Sequence, residues 1–197
     1  MTQATARVGA RIFNLPNILT FGRVLAVPLV VACLFWPDEF AWRWVALGLF
    51  TLAAVTDFFD GYLARVWEQQ SELGRMLDPI ADKLLVSAVL MILVADGTIK
   101  SWSVWAAIVI LCREILVSGL REFLAEVKVS VPVSKVAKWK TTMQLIALGF
   151  LIAGRAGEEV LPGTVRIGLG LLWVSALLTL YTGWDYLKVG IKQVVEE

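Results

Sequence analysis

The chain has 197 residues, 58% of them hydrophobic and 18% charged, and its mean hydropathy of +0.74 exceeds what a water-soluble domain of this length tolerates. Lys and Arg number 18 against 17 Asp and Glu, so a formal charge of +1 offers no net field to a nucleic-acid partner. Histidine is absent, which removes the commonest general base and the commonest transition-metal ligand together and leaves acid-base and metal chemistry mainly to carboxylates.

The first segment, residues 1–15, carries Arg7 and Arg11 among Val8, Ile12 and Phe13 and reads either as a short amphipathic helix on the membrane surface or as a frayed tail. The apolar stretch that begins near Ile18 is too long for a signal peptide and has no clear cleavage site after it. Six apolar runs follow, over about 17–36, 41–64, 77–96, 102–124, 139–155 and 164–187, each near the roughly twenty residues that cross a bilayer. They are continuous rather than alternating, so they predict helices and not barrel strands. The expected fold is therefore an all-α integral membrane protein: one domain over 1–197, with a surface helix (1–15) and a bundle of six transmembrane helices (16–190) in the lipid bilayer.

Turns are expected at Trp36-Pro37-Asp38, Asp96-Gly97 and Leu161-Pro162-Gly163, and Pro79 is expected at the start of the third helix, where a missing N–H costs least. Cys33 and Cys112 sit in apolar runs without metal-type spacing and read as small buried hydrophobes. Trp36, Trp42, Trp44, Trp102 and Trp184 fall near predicted helix ends, where an aromatic belt meets the headgroups. Lys and Arg crowd the two termini and the second-to-third and fourth-to-fifth connections, which places those segments in the cytoplasm of an inner (plasma) membrane protein.

The second run ends in Asp57-Phe-Phe-Asp60-Gly61-Tyr-Leu-Ala64-Arg65, whose charged or small residues at 57, 60, 61, 64 and 65 form one helical stripe. Gly74, Asp78 and Asp82 follow at steps of four and open a second stripe. An antiparallel pair with a short connection would bring the two acidic pairs to one depth, near the cytoplasmic surface. Four adjacent carboxylates repel one another unless cations lie between them, and all-oxygen ligation favours Mg²⁺ or Mn²⁺. Two such ions make the usual clamp on a phosphoryl group. Gly61 and Ala64 remove bulk beside the stripe, and Arg65 offers a guanidinium to phosphate.

The pattern Asp57-x-x-Asp60-Gly61-x-x-Ala64-Arg65, eight residues, then Gly74-x-x-x-Asp78-x-x-x-Asp82 resembles the complete signature of the CDP-alcohol phosphatidyltransferase family. The resemblance implies six transmembrane helices behind a surface helix, a homodimer, and a two-metal site for the pyrophosphate of CDP-diacylglycerol. It implies Asp57, Asp60 and Asp78 as principal metal ligands and Asp82 as the catalytic base, which also contacts metal. Gly61, Ala64, Arg65 and Gly74 would line the nucleotide site.

Three further segments, Asn14 to Arg23, Arg113 to Glu122 and Lys138 to Gln144, are similar to those of bacterial family members that use glycerol 3-phosphate as acceptor. The residues agree with a phosphorylated acceptor. Arg113 lies well inside the fourth run, where an ionised side chain is costly unless it is paired or faces a wet cavity, and Arg121 is near the same face two turns on. With Lys135, Lys138 and Lys140 these cations are candidates for the acceptor phosphate, and Glu114 and Glu122 for partners that orient the arginines. A sister transferase taking inositol phosphate or serine shares the signature. A divalent-cation transporter shares only the acids, and Arg65 beside them argues for phosphate instead.

Overall fold

The computed structural model describes residues 15–36, 40–66, 72–127 and 135–195; within these, the side chains at 15–17, 58–66, 72–75, 78, 135–138, 189 and 192–195 lie outside the description. Of the expected surface helix (1–15), residues 1–14 also fall outside it, and Leu15 opens the first described helix. Among the described residues there are six helices and no strand: α1 (Leu15–Leu34), α2 (Phe40–Val66), α3 (Glu72–Ala95), α4 (Ser103–Glu126), α5 (Lys135–Val160) and α6 (Thr164–Val195). Each of the six predicted runs lies on one of them.

The expected turns at Asp96-Gly97 and Leu161-Pro162-Gly163 are present. Gly97 has φ 74, and the Thr98 N–H donates to Asp96 Oδ1 at 2.8 Å, so the aspartate side chain closes the turn. Pro79 corrects its expectation. It lies in the second turn of α3, because that helix starts at Glu72, ahead of the apolar run. There the ring removes one backbone hydrogen bond inside a continuous helix.

The chain forms two compact units, Met1–Ile92 and Leu93–Glu197. In the first, α1 and α2 pack against each other, with Val30, Leu34, Ala46, Phe50 and Ala53 buried. In the second, α6 packs along both α5 and α4. A three-residue connection makes α5 and α6 antiparallel, and small residues set their approach. A Cβ on Gly157 would stand 2.7 Å from the Thr164 methyl, and one on Gly168 would stand 2.9 Å from Leu151. In lipid, where tails are as apolar as side chains, such close backbone packing is a main source of helix association.

Two described helices are long and apolar enough to cross a membrane, Ser103–Glu126 at mean hydropathy 1.8 and Thr164–Lys188 at 1.5. Most of their surface is not covered by protein: only 22% and 33% of their most apolar windows are buried. Leu25, Met91, Ile115, Leu177 and many other large apolar residues are exposed, a surface that a bilayer solvates and water does not. Trp36, Trp42, Trp44, Trp102 and Trp184 are exposed as an interfacial belt requires. Cys33 is buried, but Cys112 is exposed, contrary to the reading of both as core residues. An apolar run in lipid presents part of its circumference outward, so hydrophobicity alone does not bury a given position.

Candidate active site

The acidic stripe of α2 continues that helix's buried face. Arg43, Ala46, Phe50 and Ala53 are buried at steps of three and four, and Asp57 is the next position in that series. By helical register Asp60, Gly61 and Ala64 extend the same face. On α3 the buried residues Ala81, Leu85, Val89 and Leu93 share a face with Asp82 and, one turn earlier, Asp78. Asp57 and Asp82 thus stand in line with buried stripes, where a carboxylate must be paired, ligated or hydrated.

Asp57 is paired. Its Oδ1 meets Nη1 of Arg23 on α1. The Arg23 side chain is 1% exposed and that of Asp57 45%, so a buried cation backs an acid whose side chain remains accessible. Sequence reasoning passed over Arg23 as a charge lost inside the first run. Its signal was the one that marked Arg113: a charged side chain inside an apolar run, in a segment that must face protein somewhere.

Among the described residues no group of three metal-ligating side chains assembles, and of the four aspartates only Asp57 and Asp82 have described side chains. The backbone places Asp60, Gly61, Ala64 and Arg65 on α2, and Gly74 and Asp78 on α3; their side chains lie outside the description. Of the two described aspartates, which offer oxygen donors alone, Asp57 is both oriented by Arg23 and reachable.

A second polar cluster lies in the other unit, between α4, α5 and α6. Arg113 Nη2 donates to Thr182 Oγ1 at 3.0 Å, and Arg121 Nη2 donates to Tyr186 OH at 3.0 Å with its guanidinium 5.5 Å from the centre of that ring. Glu114 lies 3.5 Å from Arg113 Nη1, and its other oxygen, Oε1, is in contact with Lys140 Nζ. Glu114 is therefore shared between Arg113 and Lys140 rather than reserved for an arginine. Lys140 is 4% exposed, well inside the protein rather than at its surface. Glu122 is exposed. Lys135 and Lys138 lie on the first turn of α5, with side chains outside the description. The structure thus brings Arg113 and Lys140 around one carboxylate and anchors Arg121 one tyrosine away. Thr182 and Tyr186 were missed from sequence, although Ser175, Thr179, Thr182 and Tyr186 recur at steps of three and four in an apolar run and all are buried.

A family model described as CDP-alcohol phosphatidyltransferase matches residues 13–181, which takes in both acidic stripes and most of the second cluster. The chain belongs to the CDP-alcohol phosphatidyltransferase family. Within that family it is similar to a protein of Cereibacter sphaeroides named CDP-diacylglycerol–glycerol-3-phosphate 3-phosphatidyltransferase, at 41% identity over 94% of this chain and 99% of the relative. A Rickettsia felis protein of the same name is 45% identical, over 89% of this chain and 94% of its own. One from Salmonella choleraesuis is 39% identical, over 94% and 99%. For a family member, the Arg23–Asp57 contact ties the first helix to the opening residue of the signature.

Proposed function

We propose that this family member transfers the phosphatidyl group of CDP-diacylglycerol to glycerol 3-phosphate, releasing CMP. The observation that carries this reading is likeness over nearly the whole chain, 41% identity across 94% of it, to a protein named for that reaction. The cations Arg113 and Arg121 support a phosphorylated acceptor, because their hydrogen bonds to α6 are to neutral hydroxyls and Arg113 shares its ion-pair partner, Glu114, with Lys140.

In this mechanism the primary hydroxyl of glycerol 3-phosphate attacks the β-phosphorus of CDP-diacylglycerol. A new P–O bond forms, the bond to CMP breaks, and the hydroxyl proton passes to Asp82. Asp57, Asp60 and Asp78 would hold two Mg²⁺ or Mn²⁺ ions, with Asp82 contributing, and such ions supply charge neutralisation to the pyrophosphate. Arg23 keeps Asp57 oriented. Gly61, Ala64, Arg65 and Gly74 bind the nucleotide, the small residues by admitting it close to the backbone and Arg65 by pairing with phosphate. Arg113, Arg121 and the lysines Lys135, Lys138 and Lys140 bind the acceptor phosphate. The enzyme would work as a homodimer, as one membrane domain of six spans behind a surface helix, with its active site on the cytoplasmic side of the inner membrane.

The deciding experiment supplies purified protein with CDP-diacylglycerol, Mg²⁺ and, in turn, glycerol 3-phosphate, inositol phosphate or serine, and measures CMP release. Glycerol 3-phosphate should be strongly preferred. A clear preference for either of the others would overturn the acceptor and leave the family chemistry standing.

A further inference from the structure

The two arginines of α4 share an uncommon kind of support. Thr182 and Tyr186 stand four residues apart on one face of α6 and are 2% and 5% exposed. Each accepts a hydrogen bond from the Nη2 of one arginine, at 3.0 Å. The Thr182 hydroxyl itself donates back along α6, with the Leu178 carbonyl at 3.0 Å and the Thr179 carbonyl at 3.2 Å, which turns a lone pair toward Arg113. Between the two hydroxyls, Gly183 leaves room for the arginine stem: a Cβ there would stand 3.2 Å from Arg113 Cγ and 3.6 Å from Nε.

A carboxylate in either position would orient its arginine and also neutralise it. A hydroxyl orients and leaves the charge in place. Glu114 is shared between Arg113 and Lys140, so among the described residues the cluster of Arg113, Arg121, Lys140 and Glu114 carries more positive than negative charge. Each guanidinium still has donors beyond the one engaged by α6. That arrangement suits an anion with several oxygens. We propose that Thr182 and Tyr186 are positioning residues for the acceptor, which aim Arg113 and Arg121 at the phosphate of a phosphorylated alcohol without cancelling their charge. The inference rests on the reading above that these arginines take the acceptor phosphate.

The test compares Thr182→Val, Thr182→Ser and Tyr186→Phe with the unmodified enzyme, measuring KM for glycerol 3-phosphate and for CDP-diacylglycerol separately, and the melting temperature in detergent. Thr182→Val and Tyr186→Phe should each raise the KM for glycerol 3-phosphate about three- to tenfold, the worth of one hydrogen bond, and leave that for CDP-diacylglycerol unchanged. Thr182→Ser keeps the hydroxyl and should restore the original value. Tyr186→Phe keeps the ring over Arg121, so it carries the test even if Thr182→Val fails to fold. An unchanged KM for glycerol 3-phosphate, or equal changes for both substrates, overturns the proposal. If the unmodified enzyme releases CMP only with glycerol 3-phosphate and Arg113→Gln raises its KM while the hydroxyl variants do not, the positioning role alone fails. If the unmodified enzyme does not use glycerol 3-phosphate, the assigned reaction fails and this inference with it.

Discussion

A charged side chain on a protein-facing stripe of an apolar helix persists only with a partner, and Arg23, Arg113 and Lys140 each have one. The partners differ in kind. Arg23 is tied to a proposed metal ligand, whereas Arg113 is held by both a carboxylate and a hydroxyl. Asp→Asn at position 57, 60 or 78 keeps the shape and removes the charge that would hold a cation, so each substitution should abolish CMP release while the protein still inserts. Near-normal turnover by all three variants at saturating Mg²⁺ would rule out the two-metal reading. Arg113→Gln and Arg121→Gln should act on the acceptor instead. A lost charge-assisted hydrogen bond is worth about 1.5–3 kcal/mol, which corresponds to a rise of roughly ten- to a hundredfold in the KM for glycerol 3-phosphate. Equal effects on CDP-diacylglycerol would place these arginines at the nucleotide or in the framework.

At the scale of the elements, the α5–α6 connection shows how helix ends outside the apolar runs are secured. Glu158, beyond the run 139–155, accepts from the Gly163 N–H at 2.6 Å and from the Val165 N–H at 2.9 Å, so one carboxylate caps the start of the next helix. Those backbone donors, Gly163 first, hold its pKa below the ordinary glutamate range, with Arg166 adding in the same direction. A depressed folded-state value means that the cap contributes fully above the ordinary glutamate range and is lost as pH falls through the lower folded value. Glu158→Gln should therefore melt below the parent protein at neutral pH, and the gap should close on acidification; a gap independent of pH would show that the charge is irrelevant. Two turns of α5 earlier than its end the backbone breaks at Gly154, with φ 48 and ψ −126, a conformation essentially closed to side chains with a Cβ. Gly154→Ala should cost about 1–3 kcal/mol in thermal or denaturant unfolding.

The whole molecule is organised by its solvent. Exposed apolar residues on α1 to α6 and exposed tryptophans near helix ends fit a chain bathed in lipid, and the skew of Lys and Arg is the basis of the orientation proposed above. In a Cys33→Ala, Cys112→Ala background, a cysteine introduced by Ser71→Cys should react with an impermeant reagent only from the cytoplasmic side. The background matters because Cys112 is exposed. Labelling from outside would invert the proposed topology.

The order of the six helices and the family were legible in the sequence, because each depends on local pattern: hydropathy marks the runs, and helical spacing marks the signature that opens at Asp57. Arg113 and Arg121 were likewise conspicuous as charges in or beside an apolar run. What they touch was not. The pairing of Arg23 with Asp57 joins residues 34 positions apart, and Thr182 meets Arg113 across 69. Such contacts depend on which helices pack and in what register. The start of α3 ahead of Pro79 and the outward face of Cys112 were hidden for a related reason, since a hydropathy run marks the membrane's thickness but neither the ends of a helix nor its rotation. Residue types and their spacing mark which side chains are able to do chemistry, whereas helix packing selects which carboxylate backs which cation, because only packing fixes the distances over which charges and hydroxyls meet.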